Sequence, residues 1–145
     1  MIKHIVLSIL VLGLLSFSAS HAESAGICDC CGCKDCVSAF YFHTNMRCAT
    51  CKTIEQYTKE AIEKSFGEQL KTHKLCLQII NTDEKGNEHF MQDYQLYTKA
   101  VVLSLVKDGK EVKFANLTRI WELTQNKEAF EKYITAEVGK YLKEL

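Results

Sequence analysis

The sequence predicts an α/β fold with the element order βαβαββα, in which a mixed four-stranded sheet lies between helices. Three observations carry this prediction. Nearly continuous apolar runs indicate strands buried on both faces, apolar residues at three- and four-residue spacing indicate amphipathic helices, and an Asp-Gly pair between two strand-like segments indicates a hairpin. A length of 145 residues, of which 47% are hydrophobic, is enough for one globular domain.

The first 22 residues have the pattern of a secretory signal peptide. Lys3 precedes an apolar run over 5–17, and Ser20-His21-Ala22 offers the small residues that a signal peptidase recognises. The run spans 13 positions, whereas a membrane-spanning helix needs about 20. We therefore expect cleavage after Ala22, export to a periplasmic or secreted destination, and no stable membrane anchor after cleavage.

Residues 23–36 are rich in cysteine and have no apolar period, so we expect an irregular arm there. Its thiols belong to Cys28, Cys30, Cys31, Cys33 and Cys36. Thiolates at this density suit soft ions such as Cu(I), Zn(II) or trivalent arsenic, because several can converge on one centre. One interpretation is therefore soft-metal or metalloid binding by these five residues, and the other is a disordered arm with mixed disulfides.

The globular domain is predicted to occupy residues 37–145. Its first element is the apolar run 37–42, which is typical of a buried strand. Apolar residues then recur at helical spacing over 54–66, so we expect an amphipathic helix that ends at Gly67. A second apolar strand is expected over 75–80.

The second half of the domain is predicted to contain a short helix, a hairpin and a closing helix. The short helix falls within 87–96, and an apolar strand follows over 101–106. Asp108-Gly109 joins that strand to residues 111–114, where apolar and charged residues alternate, which predicts an outer, half-exposed strand. Asn126 is the expected cap of the last helix. The apolar face of that helix is predicted to consist of Phe130, Ile134, Val138, Tyr141 and Leu142.

The motif with the clearest chemistry is Cys48-Ala49-Thr50-Cys51, a C-x-x-C pair between the first strand and the first helix. Amides at a helix N-terminus favour the thiolate over the thiol, so Cys48 is the candidate nucleophile, and Arg47 adds a positive charge beside it. Cys51, one turn further on, is the candidate resolving thiol that would release a partner from a mixed disulfide. A permanent disulfide or half of a zinc site is the alternative, since the same spacing suits both.

Two other residues of this region have an ordinary explanation. His43, at the end of the first strand, has the chemistry to transfer a proton or ligate a metal, but a lone histidine at a strand end is more often solvated. Cys76 lies between Leu75 and Leu77 in the second strand, where we expect it to be buried as a small hydrophobic residue.

Charge and motif content argue against a nucleic-acid partner and against a bound flavin or nicotinamide. The chain has 18 Lys and Arg against 18 Asp and Glu, and because these charges are interspersed rather than clustered, we expect no nucleic-acid partner. The sequence also lacks a flavin or nicotinamide fingerprint such as G-x-G-x-x-G. For a redox function we therefore expect no bound cofactor, and for a binding function a soft metal or metalloid ion.

Three stretches of the domain carry a family resemblance: Tyr41-Phe42-His43-Thr44-Asn45-Met46-Arg47-Cys48-Ala49-Thr50-Cys51-Lys52-Thr53-Ile54-Glu55, Asp93-Tyr94-Gln95-Leu96-Tyr97-Thr98-Lys99 and Ile120-Trp121-Glu122-Leu123. With these stretches, residues 37–145 resemble a thioredoxin-like domain and, within that fold, the ArsF family, whose members are labelled nitrophenyl compound nitroreductase subunits. The resemblance implies a redox-active C-x-x-C centre. It also implies a thiol-disulfide exchange partner or a reductase subunit that holds the cofactor. The chain would be either a thiol-disulfide oxidoreductase or a non-catalytic, electron-carrying subunit.

The chain departs from thioredoxin in having no proline. Thioredoxins place a cis-proline against the dithiol just before the third strand, a position that falls here near Ala100 and Val101. A cis bond without proline would cost about 2.5 to 4 kcal/mol, so we expect a trans bond. The absence of that proline also favours metal or metalloid binding at Cys48 and Cys51 as the alternative function.

Overall fold

The computed structural model describes residues 33–145, so the predicted signal peptide and most of the predicted arm lie outside the described residues. The strands and helices of this part are β1 Cys36–His43, α1 Ala49–Ser65, α2 Gly67–Lys71, β2 Leu75–Asn81, α3 Phe90–Asp93, β3 Ala100–Lys107, β4 Lys110–Asn116 and α4 Lys127–Leu142. A 3₁₀ turn at Thr118–Trp121 joins β4 to α4. None of the helices in this part is both long and apolar enough to span a membrane.

The four strands form one mixed sheet in the order β2-β1-β3-β4. β1 runs parallel to β2 and antiparallel to β3, and β3 pairs with β4 as an antiparallel hairpin. The structure has the predicted four strands in the predicted βαβαββα order, and α2 is an additional short helix. The predicted α/β fold, with a mixed four-stranded sheet between helices, is therefore confirmed.

The central position of β1 in the sheet explains why its sequence is almost wholly apolar. It has a hydrogen-bonded neighbour on each side, and every residue from Cys36 to Phe42 is buried. A strand covered on both faces does not alternate apolar with polar residues, because each polar side chain would be buried and would lose its hydrogen bonds to water. The strand begins at Cys36, one residue before the start expected from the sequence.

One face of the sheet packs against α1 and α4. The residues of this apolar cluster include Val37, Ala39, Tyr41, Ile54, Ile62, Leu103, Leu105, Phe130, Ile134 and Val138, all at most 2% exposed. Complete burial of an aliphatic or aromatic side chain contributes roughly 1.5–3 kcal/mol, so this layer supplies most of the hydrophobic stabilisation. Asn126 caps α4 as expected, since its side-chain oxygen accepts a hydrogen bond from the Ala129 amide at 3.0 Å.

The opposite face carries an aromatic cluster beneath α3. Phe40 and Phe42 of β1 pack against Phe90 and Tyr94, with ring centroids 5.2 to 6.2 Å apart. Rings at these separations interact favourably beyond their buried area. The predicted short helix within 87–96 is α3, and it forms the third layer of the domain.

Gly67 does not end α1, which corrects one expectation from the sequence. α1 ends at Ser65, Phe66 donates its amide to the Ile62 carbonyl, and Gly67 begins α2. Phe66 and Leu70 both pack against the main core. Burial of these two side chains favours a second helix directly after the first, so Gly67 is not needed in a left-handed capping conformation.

A bulge in the β3–β4 hairpin decides which residues of β4 face the core. The register pairs Leu105 with Lys113 and Val106 with Glu111, so Val112 is an extra residue in the ladder. Val112 is 54% exposed. Glu111 instead faces the aromatic cluster, where its Oε2 accepts hydrogen bonds from the Tyr94 hydroxyl at 2.8 Å and from the Ser104 hydroxyl.

Candidate functional site

The C-x-x-C pair lies after the central strand, at the start of the first helix, as the sequence predicted. β1 ends at His43, and Cys48 is the N-cap of α1 with an extended backbone conformation. The sulfur atoms of Cys48 and Cys51 are joined in a disulfide, with a Cα–Cα distance of 5.1 Å. The structure therefore contains the oxidised form of the predicted dithiol.

The two sulfur atoms of this disulfide have different environments. Cys48 is exposed, whereas Cys51 is 2% exposed. The Cys51 amide lies 3.2 Å from the Cys48 sulfur and donates a hydrogen bond to it. Such an amide, together with the positive end of the helix dipole, stabilises a thiolate at the Cys48 position once the disulfide is reduced.

Arg47 is adjacent to the dithiol, but its charge is shared with a carboxylate that the sequence analysis missed. Its guanidinium forms an ion pair with Glu55, which lies one turn beyond Cys51 on α1. Both side chains are substantially buried, and within the described part of the chain Arg47 Nε has no hydrogen-bond partner. The ion pair holds Arg47 in place while reducing the positive potential that it contributes at Cys48.

Tyr41 lies beneath the dithiol and was predicted only as part of an apolar strand. Its hydroxyl donates a 2.7 Å hydrogen bond to the Cys51 carbonyl in a buried environment. Burial raises the pKa of Tyr41 to about 12, with a smaller opposing effect from Arg47 and a small further increase from Glu55. The hydroxyl therefore stays protonated at neutral pH and fixes the first turn of α1 to the central strand.

Replacing Tyr41 with phenylalanine is expected to lower the free energy of unfolding by about 1 kcal/mol at neutral pH. The pKa of Tyr41 is higher in the folded protein than its ordinary value of 10.0. The unfolded chain therefore loses this proton first, so Tyr41 contributes fully below about pH 10 and its contribution disappears as the pH rises through about 12. Urea unfolding measured between pH 8 and pH 11.5 should show a shallower alkaline loss in Tyr41→Phe than in the unchanged protein.

The matched control is Tyr97→Phe, because Tyr97 is 94% exposed. This control should match the unchanged protein at every pH. Parallel alkaline curves for the unchanged protein and Tyr41→Phe would contradict the assignment of the raised pKa to Tyr41.

A cleft lies at the end of β1 from which the chain continues to the dithiol. Its walls are Phe42, His43, Thr44, Thr82, Met91, Leu96, Tyr97, Thr98 and Lys99. The loop before β3 forms one side of this cleft. No peptide bond among residues 33–145 is cis, in agreement with the trans bond expected near Ala100. Tyr97, which lines the cleft, is 94% exposed, and Met46, two residues before Cys48, is 82% exposed. The end of the domain that carries Cys48 therefore presents apolar surface to solvent.

His43 is half-buried in this cleft rather than freely solvated. Its Nδ1 lies 3.0 Å from the Thr44 carbonyl oxygen. Because a carbonyl oxygen only accepts, Nδ1 is the donor in this hydrogen bond. The backbone carbonyl of His43 also accepts hydrogen bonds from the amide and hydroxyl of Thr82. The histidine is thereby fixed at the mouth of the cleft.

Of the five predicted metal ligands, Cys28, Cys30 and Cys31 lie outside the described residues. Cys33 is a free thiol, whereas the sulfur of Cys36 is in a disulfide and is not available as a thiolate ligand in this state. Among residues 33–145, no group of three His, Cys, Asp or Glu side chains is placed to hold a metal ion. Soft-metal binding by the arm stays a prediction.

Cys76 is buried as expected, at 7% exposure, but its sulfur is also in a disulfide. The sequence analysis treated it as an isolated hydrophobic residue. Burial in a strand is compatible with a thiol or a disulfide, and only the position of a second cysteine in space distinguishes them.

The strand order, the crossover helix between β1 and β2, and the dithiol at the start of that helix define a thioredoxin-like α/β domain. The chain is similar to the solved structure of Fasciola hepatica thioredoxin, with 23% sequence identity, coverage of 63% of this chain and 81% of that one, and a TM-score of 0.39. It is also similar to a thioredoxin mutant from Entamoeba histolytica, with 17% identity, coverage of 70% and 82%, and a TM-score of 0.41. For thioredoxin O2 from Arabidopsis thaliana in the oxidized state, the values are 17% identity, 62% and 73% coverage, and a TM-score of 0.38.

No family model matches the chain, and no curated protein sequence does either. The resemblance to the ArsF family therefore stays a prediction.

Proposed function

We propose that this protein is an exported thiol-disulfide redox protein that acts by mixed-disulfide exchange at Cys48, with Cys51 as the resolving thiol. The observation that carries this proposal is the unequal exposure of the two sulfur atoms. A partner can reach Cys48, which accepts an amide hydrogen bond, while Cys51 is buried one helical turn behind it.

The exchange is a two-step, two-electron reaction. In the reduced protein the Cys48 thiolate attacks one sulfur of a partner disulfide, which forms a mixed disulfide and releases the other partner sulfur as a thiolate. The Cys51 sulfur, after losing its proton, then attacks the Cys48 sulfur and releases the second partner thiolate. Two electrons pass to the partner, and the product is the Cys48–Cys51 disulfide seen in the structure. The reverse steps oxidise a partner dithiol.

The surroundings of the dithiol support a peptide or protein as the partner. Met46 and Tyr97 present exposed apolar side chains at this end of the domain. Exposed apolar residues beside a reactive group are typical of a surface that binds another protein. Export is supported by the signal-peptide pattern of residues 1–22 and by the disulfide-bonded state of Cys36 and Cys76, since disulfides persist in oxidising compartments.

The resemblance to the ArsF family adds a more specific role to the proposal. The chain would carry electrons between thiols and a reductase subunit that holds a flavin or nicotinamide, because this chain has no fingerprint for either cofactor. Isolated protein, supplied with a nitroaromatic compound and a dithiol reductant, should show no turnover above the uncatalysed rate. Turnover without a partner would contradict the accessory role but would leave exchange at Cys48 intact.

The reduction potential of the Cys48–Cys51 pair tests the exchange function directly. The full mature protein is equilibrated in glutathione buffers, its thiols are trapped by alkylation, and the tryptic peptide 48–52 is quantified by mass spectrometry, so that other cysteines do not contribute. We expect a value between about −270 and −120 mV, the range of thiol-redox enzymes. A value below about −300 mV would identify a structural disulfide and contradict the proposal.

A further inference from the structure

Among the described residues, the aromatic cluster beneath α3 covers the second sheet face at one end of β1 and includes no residue from the other end of β1. Phe40 and Phe42 lie beneath the aromatic cluster of α3, at the dithiol end of β1. Cys36 and Ser38 lie on the same face at the other end of β1, and the register places Ser38 beside Cys76 of β2. These three residues are 0%, 0% and 7% exposed, yet neither apolar cluster of the described chain includes them. Their burial calls for a covering segment.

The disulfides of Cys36 and Cys76 indicate what that segment is. Both sulfur atoms are in disulfides. The two residues are diagonal neighbours across the β1–β2 ladder, since Ser38 rather than Cys36 pairs with Cys76. In this parallel pair, strands about 4.8 Å apart with an offset of two residues of about 3.3 Å each place the two Cα atoms about 8 Å apart, beyond the usual Cα separation of about 4.4–6.8 Å for a disulfide. The geometry therefore disfavours a bond between Cys36 and Cys76.

The other described cysteines do not supply the partners. Cys48 and Cys51 are bonded to each other, and Cys33 is a free thiol. The chain contains three further cysteines, all in the predicted arm and within eight residues of Cys36: Cys28, Cys30 and Cys31.

The chain enters β1 at the end of the sheet where Cys36 and Cys76 lie. The Lys34 carbonyl accepts a 2.8 Å hydrogen bond from the Gly109 amide, and the Asp35 carboxylate accepts a 2.9 Å hydrogen bond from the Asp108 amide. These bonds fix residues 34–35 against the β3–β4 turn, at the end of the sheet where β1 begins. An extended chain covers up to about 3.3–3.6 Å per residue, so a segment of five to eight residues before Cys36 is long enough to span the distance to Cys36 and to the neighbouring strand.

We propose that two of the three cysteines Cys28, Cys30 and Cys31 form disulfides with Cys36 and Cys76, and that these bonds fasten the arm over this end of the sheet. Each bond forms from two thiols, whose two electrons and two protons pass to a disulfide oxidant of the export compartment, such as oxidised glutathione. Six of the eight cysteines are then in disulfides. Cys33 and one other arm thiol are left, so the oxidised protein cannot offer five thiolates to a metal.

Trypsin separates all the cysteines that the proposal connects. In the mature protein it cuts after Lys34, Arg47, Lys52, Lys74 and Lys85. The resulting peptides are 23–34 with four arm cysteines, 35–47 with Cys36, 48–52 with the dithiol and 75–85 with Cys76. Mass spectrometry of a non-reduced digest should show 23–34, 35–47 and 75–85 as one linked species, with 48–52 separate. Alkylation of the denatured, non-reduced protein should modify two thiols per chain.

Two variants sharpen this test. In Cys76→Ser, peptide 75–85 should leave the linked species while 23–34 stays bonded to 35–47. In the matched control Cys33→Ser, all three peptides should stay linked. The unchanged protein decides the question alone if Cys76→Ser does not fold. Because peptide 48–52 is analysed separately, the outcome is independent of the proposed exchange function.

Three results would overturn the proposal. The first is a species that joins 35–47 to 75–85 while 23–34 is free, which would mean a direct Cys36–Cys76 bond. The second is a bond between 23–34 and 48–52, which would connect the arm to the dithiol. The third is a mixed-isotope species from protein that was reduced and reoxidised as a mixture of ¹⁵N-labelled and unlabelled chains, which would show that the arm bonds to a second copy.

Discussion

Replacing Cys48 with serine is expected to reduce thiol-disulfide exchange by about three orders of magnitude or more, because the reacting nucleophile is removed. Replacing Cys51 with serine has a different expected result. Cys48 can still attack a partner disulfide, but no buried thiol then releases the partner, so the mixed disulfide accumulates. Reduction of a peptide disulfide by the prereduced protein measures the rate, and non-reducing gels with mass spectrometry identify the trapped species.

The matched control for both variants is Cys33→Ser, which removes the free thiol of the described residues and leaves the dithiol unchanged. Its exchange rate should equal that of the unchanged protein. Exchange that survives in Cys48→Ser would show that another thiol is the nucleophile and would contradict the proposed role of Cys48. A partner trapped on Cys33 rather than Cys48 in the Cys51→Ser variant would move the nucleophile to the arm.

Replacing Glu111 with alanine is expected to lower the free energy of unfolding by about 2–6 kcal/mol, because two buried hydroxyls lose their acceptor and each unsatisfied group costs about 1–3 kcal/mol. The hydroxyls belong to Tyr94 and Ser104, which are 1% and 0% exposed. A domain of this size has a total stability of about 5–15 kcal/mol. Urea unfolding at neutral pH should therefore show a large fall in the transition midpoint.

Two variants separate this mechanism from a general loss of packing. Glu111→Gln keeps an oxygen acceptor at the same place and should recover much of the loss. In a Tyr94→Phe background, Glu111→Ala should cost less than it does in the unchanged chain, since one of the two donors is already absent. An effect of Glu111→Ala below about 0.5 kcal/mol, typical of a surface substitution, would contradict a structural role for the carboxylate.

The strands and long helices could be predicted because their signals are local. β1 is apolar at nearly every position, α4 follows a cap at Asn126, and both are present as expected. Glu111 could not be placed in the same way. Alternation assumes that every residue of β4 has a partner on β3, but Val112 has none because of the bulge. The bulge depends on the pairing of β4 with β3, which the sequence of β4 alone does not reveal.

The candidate site was predictable in its cysteines but not in their support. The spacing of Cys48 and Cys51, together with their position between a buried strand and a helix, singled out this pair, and the same spacing also suits a permanent disulfide or half of a zinc site. Glu55 and Tyr41 gave no comparable signal: one is an ordinary charge on an amphipathic helix, and the other is a bulky member of a buried strand. A tyrosine in a strand buried on both faces was the available indication, since its hydroxyl needs a partner.

The bulge at Val112 also interrupts one of the two edges of the sheet, the edge formed by β4. β4 is an edge strand, and the outward N–H and C=O groups of such a strand are a template for pairing with another chain. The extra residue interrupts their regular spacing, and Lys110 and Lys113 add charge along the same strand. A strand from a second molecule therefore loses regular pairing with β4 at the bulge. The irregularity that turns Glu111 toward the core thus also opposes edge-to-edge aggregation in a crowded compartment.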